Sequence, residues 1–230
     1  MNTSTARFLA EGIGSAFLLA TIVGSGIMAS QLAGGNVALT LLCNALPTGA
    51  MLVVLIVIFG PVSGAHFNPA VTLALAFARC FSRRDCVAYI AAQLAGAVVG
   101  VWAAHMMFEA PLLQLSATTR TGAGQWSAEA IATFGLVLTI FGCISRAPAS
   151  TAMAVGLYIT AAFWFTASTS FANPAVTIAR ALTDTFTGIR PVDVAPFIIA
   201  QCVGASIGAL AAALLWPGVC LKPVSGKRHA

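Results

Sequence analysis

Charged residues are scarce in this 230-residue chain: they make up 7% of it, and only six are acidic. A soluble domain normally carries about a quarter charged residues. Hydrophobic residues instead make up 59% of the chain. The composition therefore excludes an ordinary soluble domain and indicates a protein that crosses a lipid bilayer several times.

The chain also lacks clustered metal ligands. It has three histidines and six cysteines, and the cysteines lack the close paired spacing of a metal site. It has no nucleophile paired with a base and no phosphate-binding loop, so we expect no enzyme activity, no cofactor and no bound metal. We expect free thiols that act as small apolar fillers, rather than ligands of a soft metal or an arsenical, at Cys43, Cys80, Cys86, Cys143, Cys202 and Cys220.

Long apolar runs dominate the sequence. A helix needs about 20 apolar residues to cross a membrane, and six runs are long enough: roughly 7–29, 37–59, 85–108, 127–145, 150–169 and 192–216. The first begins with Arg7, contains Glu11 and exceeds the length of a signal peptide's apolar region, so we interpret it as a retained helix.

The positive charges are unevenly distributed. The net charge of +5 could suggest a nucleic-acid partner, but the cations alternate between the connections, which argues against one. One set of connections holds Arg7, Arg79, Arg83, Arg84, Arg146, Lys222, Lys227 and Arg228, whereas the other holds Arg120 and Arg190, with Arg180 beside a short motif described below. The positive-inside rule then predicts that both termini lie in the cytoplasm, and we expect the protein in the inner (plasma) membrane.

The chain contains an internal repeat. "EGIGSAFLLATIVG" from Glu11 resembles "EAIATFGLVLTIFG" from Glu129, and "AQLAGAVVGVWAA" from Ala92 resembles "AQCVGASIGALAA" from Ala200. We expect one transmembrane domain over 1–230, with repeats at about 7–108 and 127–216. Three spans in each repeat make the second repeat inverted relative to the first, with a site where the halves meet.

Each half carries the same five residues, Asn-Pro-Ala-Val-Thr, in "NPAVTLALAFAR" from Asn68 and "NPAVTIARALT" from Asn173. These segments are too short to span a bilayer. Asn is a good N-cap and Pro suits the first helical position. We therefore predict two half-helices whose N-termini meet in the middle of the membrane, where protein or a water-filled cavity must surround them.

These features resemble the aquaporin or major intrinsic protein family over nearly the whole chain. The resemblance rests on "SGAHFNPAVT", "FANPAVT", Glu11, Glu129, "AQLAGA" and "AQCVGA". It implies an all-α membrane protein with six transmembrane helices, two re-entrant half-helices and an inverted repeat. It also implies a homotetramer with one pore per subunit and passive transport of small neutral solutes.

The resemblance assigns the pore motifs to Asn68, Pro69, Ala70, Asn173, Pro174 and Ala175. The Asn amides can donate to a passing oxygen, and the half-helix dipoles repel cations. For Glu11 and Glu129 we prefer hydrogen bonding to loop backbone over a direct role in transport. We expect His66 to line the pore, and His105 to face the helix bundle or a neighbouring subunit.

The sequence departs from the family pattern at Val176, because most members have Arg directly after the second motif. Spacing from the motifs assigns the remaining filter positions to Thr48, Ala161 and Ser170, and none is aromatic or charged. Arg180 lies one helical turn after Val176. It either supplies positive charge to the pore vestibule or pairs with Asp184, and the sequence leaves both readings open.

The leading hypothesis is an aquaglyceroporin-like channel with a wide filter that lacks the arginine. This filter resembles that of bacterial members associated with arsenic resistance, which favours metalloids such as arsenite and antimonite together with polyols. The alternatives are an ordinary water or glycerol facilitator and a coupled secondary transporter. A coupled transporter would need a titratable group at the midplane, where this chain has Asn68 and Asn173.

Overall fold

The computed structural model describes residues 3–219. Lys222, Lys227, Arg228 and Cys220, which entered the charge and cysteine predictions, lie outside the described residues. Within 3–219 all regular secondary structure is helical.

Eight α-helices follow one another along the described chain. They are α1 (Thr3–Leu32), α2 (Val37–Ser63), α3 (Pro69–Phe77), α4 (Cys86–Met107), α5 (Ala123–Arg146), α6 (Thr151–Phe165), α7 (Pro174–Arg180) and α8 (Pro191–Leu215). Short 3₁₀ turns at Arg83–Asp85 and Pro148–Ser150 precede α4 and α6. Six helices are long and apolar enough to cross a membrane, and α3 and α7 are the two short ones. This confirms the predicted fold class.

The order long, long, short, long occurs twice, in α1 to α4 and again in α5 to α8. Within each set the first helix packs along the last: α1 against α4, and α5 against α8. The short helices connect the two sets, because α3 also packs against α8 and α7 also packs against α4. The half-helices are therefore enclosed by protein on several sides.

Glycines allow the long helices to approach closely, as their small-xxx-small spacing predicts. A Cβ atom on Gly96 of α4 would lie 2.0 Å from the carbonyl oxygen of Gly12 in α1. In the second set, a Cβ on Gly204 of α8 would lie 2.1 Å from the carbonyl oxygen of Ala130 in α5. Gly100 and Gly208 make equivalent contacts one turn further along. Only glycine fits these contacts without moving a backbone.

The thiols agree in part with the sequence prediction. Cys43, Cys86, Cys143 and Cys202 are free. Cys80 differs from the prediction because it is in a disulfide.

We predict that Gly96→Ala destabilises the protein, because the clash is with backbone that cannot rotate away. Overpacking of this kind costs about 1–3 kcal/mol. The matched control is Gly60→Ala in α2, where an added Cβ meets nothing within 4 Å. Melting temperatures in detergent should fall for Gly96→Ala and stay near the wild-type value for Gly60→Ala. Equal melting temperatures for the two variants would contradict this packing argument.

Candidate functional site

The half-helices begin as their sequences predict. Asn68 is extended (φ −154°, ψ 117°), and its side chain accepts hydrogen bonds from the backbone N–H groups of Ala70 and Val71. Asn173 has nearly the same geometry (φ −159°, ψ 114°) and caps α7 in the same way. Each Asn oxygen is therefore used for capping, and the amide nitrogen remains available as a donor.

The two asparagines connect the halves of the protein reciprocally. Asn68 Nδ2 donates to the carbonyl oxygen of Ala172 at 2.7 Å, and Asn173 Nδ2 donates to that of Phe67 at 2.8 Å. An amide nitrogen carries two N–H groups, so each asparagine keeps one for another acceptor. Both side chains lie on the wall of a common cavity.

Two buried carboxylates hold the segments that lead into the half-helices. Glu11 accepts from the backbone N–H groups of His66 at 2.9 Å and Phe67 at 2.7 Å. Glu129 accepts from those of Phe171 and Ala172, both at 2.8 Å. Both acids are fully buried. These contacts support the structural role that we preferred for the acids, because each carboxylate pairs two N–H groups that have no helical partner.

The same segments contain strained backbone at equivalent positions. Ala65 and Phe67 have φ values of 52° and 48°, and Ser170 and Ala172 have values of 50° and 48°. Such left-handed conformations are unfavourable for residues with a Cβ and persist only where the surroundings fix them. The carboxylate contacts provide that fixation.

Sequence reasoning missed two threonine and glutamine pairs that complete these networks. Thr72 donates to the carbonyl oxygen of Asn68 at 2.9 Å and accepts from Gln93 at 3.0 Å. Thr177 and Gln201 repeat this arrangement in the second half, with a distance of 2.8 Å between them. Both glutamines also donate to the buried glutamates. The signal was present, since both pairs occupy equivalent positions in the repeat.

A cavity of about 160 Å³ runs between the two halves. Its mostly apolar wall includes side chains spaced four residues apart on the long helices, namely Leu18 and Ile22; Thr48, Leu52 and Ile56; Leu136, Ile140 and Ile144; and Val155, Ile159 and Phe163. The opposite wall includes the two asparagines and the strained segments, 64–67 and 170–172. One wall is thus mostly apolar, and the other offers hydrogen-bonding groups.

Three of the four predicted filter residues, Thr48, Ser170 and Val176, line this cavity. Ala161 does not line it, since its side chain is exposed on the outer surface of α6. Phe163 of the same helix faces the cavity instead. The assignment of Ala161 is therefore corrected, and α6 contributes an aromatic ring to the wall.

The histidines occupy different environments. His66 lines the cavity, and its Nδ1 lies 3.1 Å from Thr72 Oγ1. His105 is buried away from the cavity, with its Nε2 atom 2.8 Å from Thr183 Oγ1. His66 thus lies on the cavity wall, whereas His105 lies inside the helix bundle.

Arg180 lies on the cavity wall, although it is only 2% exposed. Its Nε donates to the carbonyl oxygen of Thr187, and its guanidinium carbon lies 3.4 Å from the centroid of the Phe171 ring. Among residues 3–219 no ion pair joins it to Asp184, which instead accepts from the backbone of Ala117. The geometry thus favours the first reading of Arg180 over pairing with Asp184.

Comparison with known proteins agrees with this architecture. The family model described as "Major intrinsic protein" matches residues 2–150 and 145–228. The chain is 54% identical over 201 residues to aquaglyceroporin AqpS of Rhizobium meliloti (strain 1021), covering 87% of this chain and 86% of that protein. It is 32% identical over 246 residues to a probable aquaporin, AqpM, of Archaeoglobus fulgidus, covering 93% and 96%.

Among solved structures, the fold matches the aquaglyceroporin from Plasmodium falciparum. The TM-score is 0.73 at 22% identity, and the match covers 95% of this chain and 100% of the other. At this identity the match speaks for the fold alone. Together with the family model and the repeated pore motif, it shows that the chain belongs to the major intrinsic protein family, whose members are membrane channels for small neutral solutes and not enzymes.

Proposed function

We propose that this protein is a passive aquaglyceroporin-type channel that conducts small polyols and uncharged metalloid acids such as arsenous and antimonous acid. The observation that carries the proposal is the cavity wall at the start of α7. There Val176 stands directly after the second motif and lines the cavity, at the position where most family members have arginine. The naming of a relative at 54% identity as an aquaglyceroporin supports the same solute class.

The chemistry of the cavity suits neutral hydroxylated solutes. Each asparagine has one amide N–H left after its bond to the opposite loop, and two helix N-termini add partial positive charge at the same place. A neutral solute can accept hydrogen bonds there while its carbon or metalloid face contacts the apolar wall. A cation meets repulsion.

A narrower water or glycerol facilitator is the second candidate, and two residues favour it. Phe163, and not the small Ala161, lies on the wall, and Arg180 brings a guanidinium to the cavity one turn beyond Val176. We infer that Arg180 takes over part of the role of the missing filter arginine, from a position that leaves more room beside Val176.

The family resemblance and the charge pattern support a proposal for assembly and orientation. We infer a homotetramer with one pore per subunit, located in the inner membrane with both termini cytoplasmic. Large apolar side chains on the outer surface, among them Phe17, Val57, Phe165 and Leu214, suit contact with lipid or with neighbouring subunits.

Stopped-flow measurements on proteoliposomes test the proposal. Water, glycerol, urea and arsenite uptake are compared on one preparation, with protein-free vesicles as the reference. Accelerated uptake of glycerol and arsenite supports the wide-filter channel. Accelerated water uptake without arsenite uptake supports the narrower facilitator.

The asparagines generate the first functional prediction. Asn68→Asp or Asn173→Asp replaces an amide donor with a carboxylate facing a carbonyl oxygen, so neutral flux should fall at least about tenfold, equivalent to about 1.4 kcal/mol in barrier height, and cations should leak. The control is Asn36→Asp, because Asn36 caps α2 at an exposed site away from the cavity. Wild-type glycerol permeability in both pore variants, at equal membrane abundance, would contradict the shared-pore arrangement.

The second prediction concerns filter width. Val176→Arg inserts a long cationic side chain beside Ser170 and Thr48, so glycerol permeability should fall about tenfold or more, equivalent to about 1.4 kcal/mol. Water should be affected less, because it is small and can use the added donors. Val176→Leu adds bulk without charge and serves as the matched variant. If a folded Val176→Arg channel keeps its glycerol-to-water ratio while Arg180→Ala changes it, Arg180 is the selecting residue.

A further inference from the structure

The guanidinium of Arg180 is a buried cation with few protein partners. Its Nε atom donates to Thr187, but no acceptor among residues 3–219 is bonded to its two terminal nitrogens. A buried charge without hydrogen-bonding partners is strongly unfavourable. Because the side chain lies on the cavity wall, the contents of the cavity must supply the missing acceptors.

The acidic residues near the α7 end of the cavity, where Arg180 lies, bond to other groups. Glu129 accepts from the backbone of Phe171 and Ala172, and Asp184 accepts from that of Ala117. Asp193 forms its ion pair with Arg190. Within the described part of the chain, none of these carboxylates makes an ion pair with Arg180.

A second cation lies close by. Arg120 places its guanidinium carbon 5.0 Å from the centroid of the same Phe171 ring. Its side-chain nitrogens donate to the carbonyl oxygens of Gly188, Ser168 and Phe186, so its position is fixed. Burial lowers the pKa of Arg120 to about 10, which leaves it protonated at neutral pH. Two positive charges therefore act on one end of the cavity.

Ser170 provides an independent indication of a ligand. It is 3% exposed and lines the cavity, yet its Oγ has no hydrogen-bond partner among the described residues. Ser170 and Arg180 line the same cavity, so we expect the hydroxyl to turn toward an oxygen that is bound at the guanidinium. Phe171, stacked against Arg180, forms a flat apolar floor beside them.

We propose that Arg180 and Ser170 form a binding site for a small monovalent oxyanion, of the size of nitrate, formate or bicarbonate, with Arg120 as a positioning residue that adds positive potential. Planar oxyanions bind guanidinium nitrogens through paired, charge-assisted hydrogen bonds. An anion bound here lies in the path of neutral solutes, so it inhibits their flux.

Nitrate is the probe, and chloride at equal ionic strength is the reference anion, because a one-atom ion cannot accept the paired hydrogen bonds of a planar oxyanion. Nitrate should raise the melting temperature of the purified protein relative to chloride, since ligand binding to the folded state stabilises it. Nitrate on both sides of proteoliposomes should also reduce water and glycerol flux in a saturable manner. Absence of both effects overturns the proposal.

Variants identify the residues. Arg180→Gln should abolish both nitrate effects, measured relative to its own values in chloride, and Arg120→Gln and Ser170→Ala should raise the half-effective nitrate concentration several-fold. Arg84→Gln is the control, because Arg84 is an exposed arginine outside the cavity lining, and it should respond like the wild type. An undiminished response in Arg180→Gln overturns the site. If that variant does not fold, unchanged responses in both Arg120→Gln and Ser170→Ala do so.

The melting measurement also separates this inference from the proposed function. It requires no permeable solute. Vesicles without polyol or metalloid flux would refute the proposed function, whereas a nitrate-dependent melting shift in the same protein would still support the anion site.

Discussion

Backbone polar groups in the middle of a bilayer have no water to pair with, and this constraint governs the structure. Two helices that begin at mid-membrane are each preceded by a loop whose N–H groups must find acceptors within the protein. Glu11 and Glu129 supply them, each with one buried carboxylate that serves two consecutive residues. Left-handed residues such as Phe67 and Ala172 would cost on the order of 1 kcal/mol each if unsupported, so the carboxylates also fix the loop shape.

That loop shape gives the cavity its two chemically different walls. Because the carboxylates hold the N–H groups, the carbonyl oxygens of Phe67 and Ala172 are left to accept from the opposite asparagines. The asparagines, in turn, direct a remaining N–H to the cavity region. The long helices need no such groups, so they present stripes of Leu, Ile and Val. A solute path with one polar and one apolar side follows from how the broken helices are supported.

The sequence was most informative where the two halves repeat and where the local structure is regular. The motif positions and their caps could be predicted because Asn at the N-cap followed by Pro is typical of a helix start. The spacing from Asn173 assigns Ala161 wrongly, because residues 166–172, which lie between the two, are not helical. An irregular loop breaks the relation between sequence distance and helix face, so the rotation of α6 could not be inferred.

Arg180 also shows that sequence spacing predicts neighbouring side chains only within a helix. Its four-residue spacing from Val176 lies within α7, and both residues do line the cavity. Its spacing to Asp184 looked equivalent, but α7 ends at Arg180, so the helical relation does not extend to Asp184. Helix periodicity predicts neighbours only up to the helix end, which the sequence did not define.

The two repeats differ at several positions that line the cavity. Counting from the shared motif, Leu75 in α3 corresponds to Arg180 in α7, and His66 corresponds to Phe171. All four line the cavity. The α3 end therefore combines an imidazole with an aliphatic side chain, whereas the α7 end combines a guanidinium with an aromatic ring. The residues that are identical in the two repeats cap the half-helices and support the loops, so they are least free to vary. The other positions can change without disturbing the scaffold, and the asymmetry gives each end of the cavity its own chemistry.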